Sequence, residues 1–243
     1  DSEYRAAKNA CALIDVTGVG VLTIAGTDCA DLLHRLTMNE IRKMQPGDVV
    51  VNALPNAKGK LVDAFFQLKE NDGFRLITGF GRSAAVAAWL DRYIFIEDVR
   101  CEDLTARYAL FLLVGDKTAN ALGTAVQTGH STLAVNGKTV TCLPATGLSP
   151  AGVLLLVEQP DAFVVYKALI EEKKCTPAGA QVYHTLRVEQ SVPIFGNEFA
   201  NEDTNPYEAG LKNHIDYDKG CYIGQEVIAR LDGEIRRKMR EID

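Results

Sequence analysis

The apolar positions of this chain fall in short runs, and four of the runs have the same sequel. Residues 20–25 lead through Gly26 and Asp28 into an Ala/Leu-rich stretch, Cys29–Leu36. Residues 74–78 lead through Gly79-Phe80-Gly81 into 83–93, Tyr108–Val114 through Gly115 into 117–122, and 152–157 through Gln159-Pro160 into 161–171. The runs are short and rich in Val, Ile, Leu and Phe, which predicts a strand, a break and a helix each time. Asp28, Ser83 and Asp161 suit the helix starts, where a side-chain oxygen accepts from a free backbone N–H.

Residues 48–54 and 60–68 alternate or run apolar around Pro55-Asn56-Ala57-Lys58-Gly59, the pattern of a hairpin. Asn71-Asp72-Gly73 is a second turn. The similar offset of the Gly26 and Gly115 units suggests two related α+β halves, 1–100 and 101–233. The last quarter reads differently. A helix is expected over 178–189, then a loop over 191–213 with Pro193, Gly196, Asn197, Asn201, Asn205, Pro206 and Gly210. A loop of that length in a compact domain usually carries function. A short helix is expected over 225–231, and 234–243 reads as the start of a strand.

Composition narrows the function classes. The 243 residues are 47% apolar and carry a net charge of −6, which fits a globular protein and argues against a general nucleic-acid binder. Runs such as Ala109–Val114 fall far short of the ~20 residues that span a bilayer. The six cysteines are scattered with no C-x-x-C pair, which supports neither a clustered metal site nor a disulfide framework and suggests a reducing compartment. His34, His130, His184 and His214 form no metal pair and no triad.

Cys221 is the sharpest candidate for chemistry. It follows Lys219 and Gly220 and precedes a helix, and a nearby ammonium and a helix N-terminus both favour thiolate. The plainer alternative is a small buried hydrophobe. Asp63 stands inside an otherwise apolar strand, either on a solvent face or as a site group with a perturbed pKa; the local pattern favours the solvent face. Arg187 and Glu189 end a helix, where a carboxylate accepts two N–H donors of a heterocycle or simply faces water.

The segment Lys219-Gly220-Cys221-Tyr222-Ile223-Gly224-Gln225-Glu226 resembles the signature of the YgfZ-type folate-binding proteins, relatives of the glycine cleavage T-protein (aminomethyltransferase). Leu13-Ile14-Asp15 with Gly26-Thr27-Asp28, Asn56-Ala57-Lys58-Gly59-Lys60, Arg92-Tyr93-Ile94-Phe95 with Asp98-Val99, and Leu186-Arg187-Val188-Glu189 through Pro206-Tyr207-Glu208-Ala209-Gly210-Leu211 follow the same family in order.

That resemblance implies an α+β fold of the T-protein type, two related modules around a central folate channel, usually followed by a C-terminal β-barrel; here 234–243 would be its start. It implies tetrahydrofolate as the bound cofactor and a role in assembling or repairing iron–sulfur clusters, with client iron–sulfur proteins or cluster-assembly proteins as partners. The location would be cytoplasmic, or the mitochondrial matrix in a eukaryote. Cys221, Lys219 and Asp63 would form the reactive set. Glu189 would hold the pterin, with Arg187, Asp63, Tyr222, Gly224 and Gln225 as further folate contacts. Aminomethyltransferases typically carry two adjacent acidic residues where this chain reads Asp63-Ala64, and they lack a cysteine at the position of Cys221. Both departures favour the YgfZ-type reading over tetrahydrofolate-dependent aminomethyl transfer, the rival reading, in which Asp63 would act alone.

Overall fold

The computed structural model describes residues 1–126, 128–200 and 202–240. The first half runs α1 (Ser2–Asn9), β1 (Ala12–Asp15), β2 (Val19–Ala25), α2 (Cys29–Leu36), β3 (Val49–Pro55), β4 (Leu61–Glu70), β5 (Gly73–Phe80), α3 (Ser83–Asp91) and β6 (Arg100–Asp103). The second runs β7 (Tyr108–Val114), α4 (Thr118–Leu122), β8 (Ser131–Val135), β9 (Lys138–Ala145), β10 (Gly152–Glu158), α5 (Ala162–Glu171), β11 (Thr176–Ala178), α6 (Ala180–Glu189) and α7 (Gln225–Arg240).

All four strand–break–helix units form where the hydrophobic pattern places them, and the 48–68 hairpin is β3–β4, paired Val49↔Leu68 through Leu54↔Asp63. The strands make two sheets, ordered β3-β4-β5-β2-β6 and β11-β1-β7-β10-β9-β8. Strand β1 lies early in the chain yet pairs antiparallel with β7 and parallel with β11.

The sheets face each other, which explains the unbroken apolar runs. In β7, Leu110, Leu112 and Val114 point into the core shared with Phe66, Leu68 and Ile77 of the other sheet. Phe111 and Leu113 point the opposite way, onto Val165 and Leu169 of α5. On the far side of the five-stranded sheet, Phe65, Phe74 and Leu76 pack against α2 and α3. The layers are therefore helix, sheet, sheet, helix, and strands buried on both faces carry no polar alternation. A fourth cluster, with Leu61, Leu211, Ile215 and Tyr222, seats the long loop against β3 and β4.

Three expectations need correction. Asp28 and Asp161 stand at helix N-caps, but neither makes a side-chain cap bond. Asp28 Oδ2 accepts from the Asp98 amide at 2.8 Å, and Asp161 pairs with Lys138 at 2.7 Å. Ser83 is the first helical residue of α3, and Arg82 holds the cap position. The segment from Glu234, read as the start of a strand, continues α7 to Arg240; residues 241–243 lie outside the described residues.

Candidate functional site

Between the two sheets lies a slot of about 70 Å³. Asp63 from β4, Thr78 and Phe80 from β5, Leu154 from β10, Tyr183 from α6 and Phe195 from the long loop are among its walls. The charged residue in the wall of this slot is Asp63, which is 0% exposed. The solvent-face expectation fails because β4 is buried on both faces from Leu61 to Leu68.

A buried carboxylate needs donors, and Asp63 has two. Its Oδ1 accepts from the Ala64 amide at 2.8 Å, and its Oδ2 accepts from Arg82 Nε at 2.9 Å. Arg82 also donates through Nη2 to the Val62 carbonyl at 3.2 Å, and its guanidinium stacks 3.6 Å from the centre of the Phe195 ring. The turn after β5 makes this possible. Gly81 has φ +64, and Arg82 opens α3 with its carbonyl accepting from the Val86 amide at 3.0 Å. Burial pushes the Asp63 carboxyl up to about 6, against the pull of Arg82 and the Ala64 amide.

Glu189 and Arg187 do not line this slot. Glu189 accepts from Tyr4 Oη at 2.5 Å and from Lys8 Nζ at 2.6 Å, and these two bonds, Lys8 first, hold its carboxyl below the usual range. Arg187 is buried and committed to the long loop: Nη1 donates to Glu198 Oε1 at 2.8 Å, and Nε donates to His184 Nδ1 at 3.0 Å. That tie, with the Ile194 amide donating to Glu198 Oε2 at 3.0 Å, sets the path of the loop carrying Phe195.

The signature loop lies elsewhere, on the C-terminal end of α2. The ammonium expected beside the thiol is turned inward. Lys219 is 4% exposed, and its Nζ donates to the His34 carbonyl at 2.7 Å and to the Thr37 carbonyl. These are unpaired carbonyls at the end of a helix, where a cation is favoured. His34 Nε2 returns a bond to the Lys219 carbonyl at 2.9 Å. Burial pushes the Lys219 amine down to about 8. Tyr222 is buried, the Ile223 amide donates to the Arg35 carbonyl at 2.9 Å, and Gln225 Oε1 accepts from the Tyr222 amide at 3.3 Å. Gly224 has φ +77, and a Cβ there would stand 2.3 Å from the Asn56 carbonyl oxygen. Every one of these neighbours is an anchor. Cys221 is exposed and does not line the slot.

The GCVT N-terminal domain family matches residues 1–219. The chain belongs to that family. Among its relatives, the aminomethyltransferase of Thermoanaerobacter sp. (strain X514) is 27% identical over 252 residues, covering 98% of this chain and 68% of that protein. The aminomethyltransferase of Chlorobium chlorochromatii (strain CaD3) is 29% identical over 239 residues, covering 93% of this chain and 65% of that protein. The crystal structure of glycine cleavage system aminomethyltransferase T from Bartonella henselae superimposes with a TM-score of 0.82 at 16% identity, covering 96% of this chain and 66% of that one. The chain thus spans about two thirds of the length of these relatives.

Membership of the GCVT N-terminal domain family agrees with the α+β fold of T-protein type inferred from the motifs. Arg82, Phe195 and Tyr183 were not singled out from the sequence. One signal for Arg82 was present: a carboxylate within an apolar strand requires a cation, and Arg82 opens the helix that follows the very next strand.

Among the described residues, no helix is long and apolar enough to cross a membrane.

Proposed function

We propose that this chain is a tetrahydrofolate-binding accessory protein that serves the assembly or repair of iron–sulfur clusters in client enzymes. The observation that carries this reading is the placement of Cys221. Its neighbours Lys219, Tyr222 and Gly224 are buried or closely packed, while the thiol itself stands exposed and away from the slot. A braced loop with one free thiol suits contact with another macromolecule better than chemistry on a ligand between the sheets. A single cysteine supplies one ligand to a shared, transient cluster, which otherwise takes four. The protein would work in the cytoplasm, or in the mitochondrial matrix of a eukaryote.

The slot is the folate site in this reading. Its aromatic walls suit a flat heterocycle, and Asp63 would accept from the heterocycle's N–H donors once Arg82 releases Oδ2. At about 70 Å³ the slot admits part of a planar ring, so a whole folate requires the loop bearing Phe195 to move outward. Glu189, expected to hold the pterin, would first have to leave Tyr4 and Lys8.

A second reading, aminomethyl transfer to tetrahydrofolate, is favoured by the names of the relatives and by a carboxyl near 6 in the slot. It is weakened by Ala64, which follows Asp63 where such enzymes carry a second acid, and by the Arg82 clamp. Complementation of a cluster-repair defect separates the two. The accessory reading predicts rescue by wild type and loss of rescue by Cys221→Ala. Equal rescue by both, together with glycine-cleavage turnover by the purified chain and its partner proteins, would transfer the assignment to the enzyme.

A further inference from the structure

Two cysteines far apart in sequence meet at one end of the six-stranded sheet. Cys11 immediately precedes β1, and Cys175 immediately precedes β11. The two strands run parallel with Ala12 opposite Thr176, and the Thr176 amide donates to the Cys11 carbonyl at 2.9 Å. The cysteines are therefore neighbours across the ladder, and their Sγ atoms stand 3.3 Å apart. Neighbouring strands are ~4.8 Å apart, inside the Cα separation that a disulfide spans, so only about 1.3 Å of sulfur movement separates the thiols from a bond.

A hydroxyl distinguishes the two sulfurs. The Thr118 hydroxyl donates to Cys11 Sγ at 3.8 Å, and either of the two thiols can donate to the other. With Cys175 as the donor, its hydrogen bond, then that of Thr118, pulls the Cys11 thiol below its usual range, and the same bond pushes Cys175 up. Both cysteines are buried, Cys11 at 4% and Cys175 at 3% exposure. Access requires local opening, and β11 is a three-residue edge strand paired, among the described residues, with β1 alone.

We propose that Cys11 and Cys175 form a reversible disulfide that staples the N-terminal arm of the chain to the β11–α6 segment. The oxidant is a low-molecular-weight disulfide. The Cys11 thiolate attacks one of its sulfurs, forming a mixed disulfide and releasing one small thiolate. Cys175, deprotonated on opening, then attacks the Cys11 sulfur and releases the second small thiol. Two protein thiols are oxidised, one small disulfide is reduced to two thiols, and the protons end on the released thiolates and solvent.

The staple acts where the arm already grips α6. Glu3 Oε2 accepts from the Gly179 amide at 2.9 Å, and Tyr4 and Lys8 hold Glu189. Oxidation would fix α1 over α6 and keep Glu189 engaged; reduction would let the arm leave. The proposal stands independently of any folate role.

The test treats the 243-residue protein with oxidised glutathione, traps free thiols by alkylation and maps the digest by mass spectrometry. The expected product is a Cys11–Cys175 cross-linked peptide, formed more slowly than the glutathione adduct of exposed Cys221. Cys175→Ser should instead accumulate glutathione on Cys11. Oxidised wild type should melt ~5–10 °C higher than the reduced protein, and its α1 amides should exchange at least tenfold more slowly. Recovery of Cys11 and Cys175 as alkylated thiols while Cys221 is fully glutathionylated would overturn the proposal. A cross-link with unchanged α1 exchange would overturn the staple.

Discussion

Arg82 Nε lies 2.9 Å from Asp63 Oδ2, and this one bond joins the start of α3 to the wall of the slot. The carboxylate is fully buried and the guanidinium side chain is 19% exposed, so the pair sits at the edge of the low-dielectric interior. Removing one partner of such a pair leaves the other charge uncompensated. Arg82→Met is expected to lose about 2–3 kcal/mol at pH 8, read by urea unfolding. The loss should shrink at pH 5, where the orphaned Asp63 takes up a proton. Equal losses at both pH values would mean that the Asp63 charge is not what Arg82 supports.

Asp63 also sets a pH dependence whose sign follows from burial. Its folded pKa is raised from 3.8 to about 6, so the folded protein holds the proton to higher pH than the unfolded chain does. The stability this provides is complete below about pH 4, falls as pH rises to about 6, and is flat above. The change across that window is about 3 kcal/mol. Asp63→Asn should flatten this part of the stability–pH curve, measured by urea unfolding from pH 4 to 8. A slope unchanged in the variant would assign it to another group.

Most elements were legible in the sequence because of how the strands are buried. Cys29–Leu36 and Tyr108–Val114 form over the residues their hydrophobic runs mark, since each packs against the core along its length. The elements that gave no signal are those whose positions are set by pairing rather than burial. Strand β6, Arg100-Cys101-Glu102-Asp103, is polar and largely exposed, and it forms as an edge partner of β2. Strand β11 has three residues, one of them Pro177. The site was half legible. Asp63 stood out as a lone carboxylate, but whether β4 has a solvent face depends on a second sheet that local alternation does not report. Glu189 was placed by Tyr4 and Lys8, 185 and 181 positions away, and no local pattern encodes such contacts.

Gly224 tests the claim that the signature is a set of anchors around one thiol. At φ +77 an alanine is strained, and its Cβ would meet the Asn56 carbonyl oxygen at 2.3 Å. Gly224→Ala should cost at least ~2 kcal/mol and speed amide exchange across 216–224. A variant as stable as wild type would show that the loop does not depend on this contact.

Cys221→Ala should be nearly silent in stability, within about 0.5 kcal/mol by thermal unfolding, because the side chain is exposed. Any loss of cellular function in that variant is then a loss of the thiol and not of the fold. A marked drop in Tm would remove that interpretation.

Lys219→Met removes the ammonium that holds the last carbonyls of α2. The expected cost is about 1–2 kcal/mol, with faster amide exchange at Thr37 and Ile223. Unchanged exchange at both amides would mean that Lys219 does not join the loop to the helix.

The most direct test of the account is calorimetric titration of the purified chain with tetrahydrofolate, in parallel with Asp63→Ala and Cys221→Ala. Wild type should bind saturably, Asp63→Ala at least tenfold more weakly, and Cys221→Ala with wild-type affinity, since the slot holds the ligand and the thiol lies outside it. Absence of saturable heat from wild type, or equal affinity in wild type and Asp63→Ala, would contradict it.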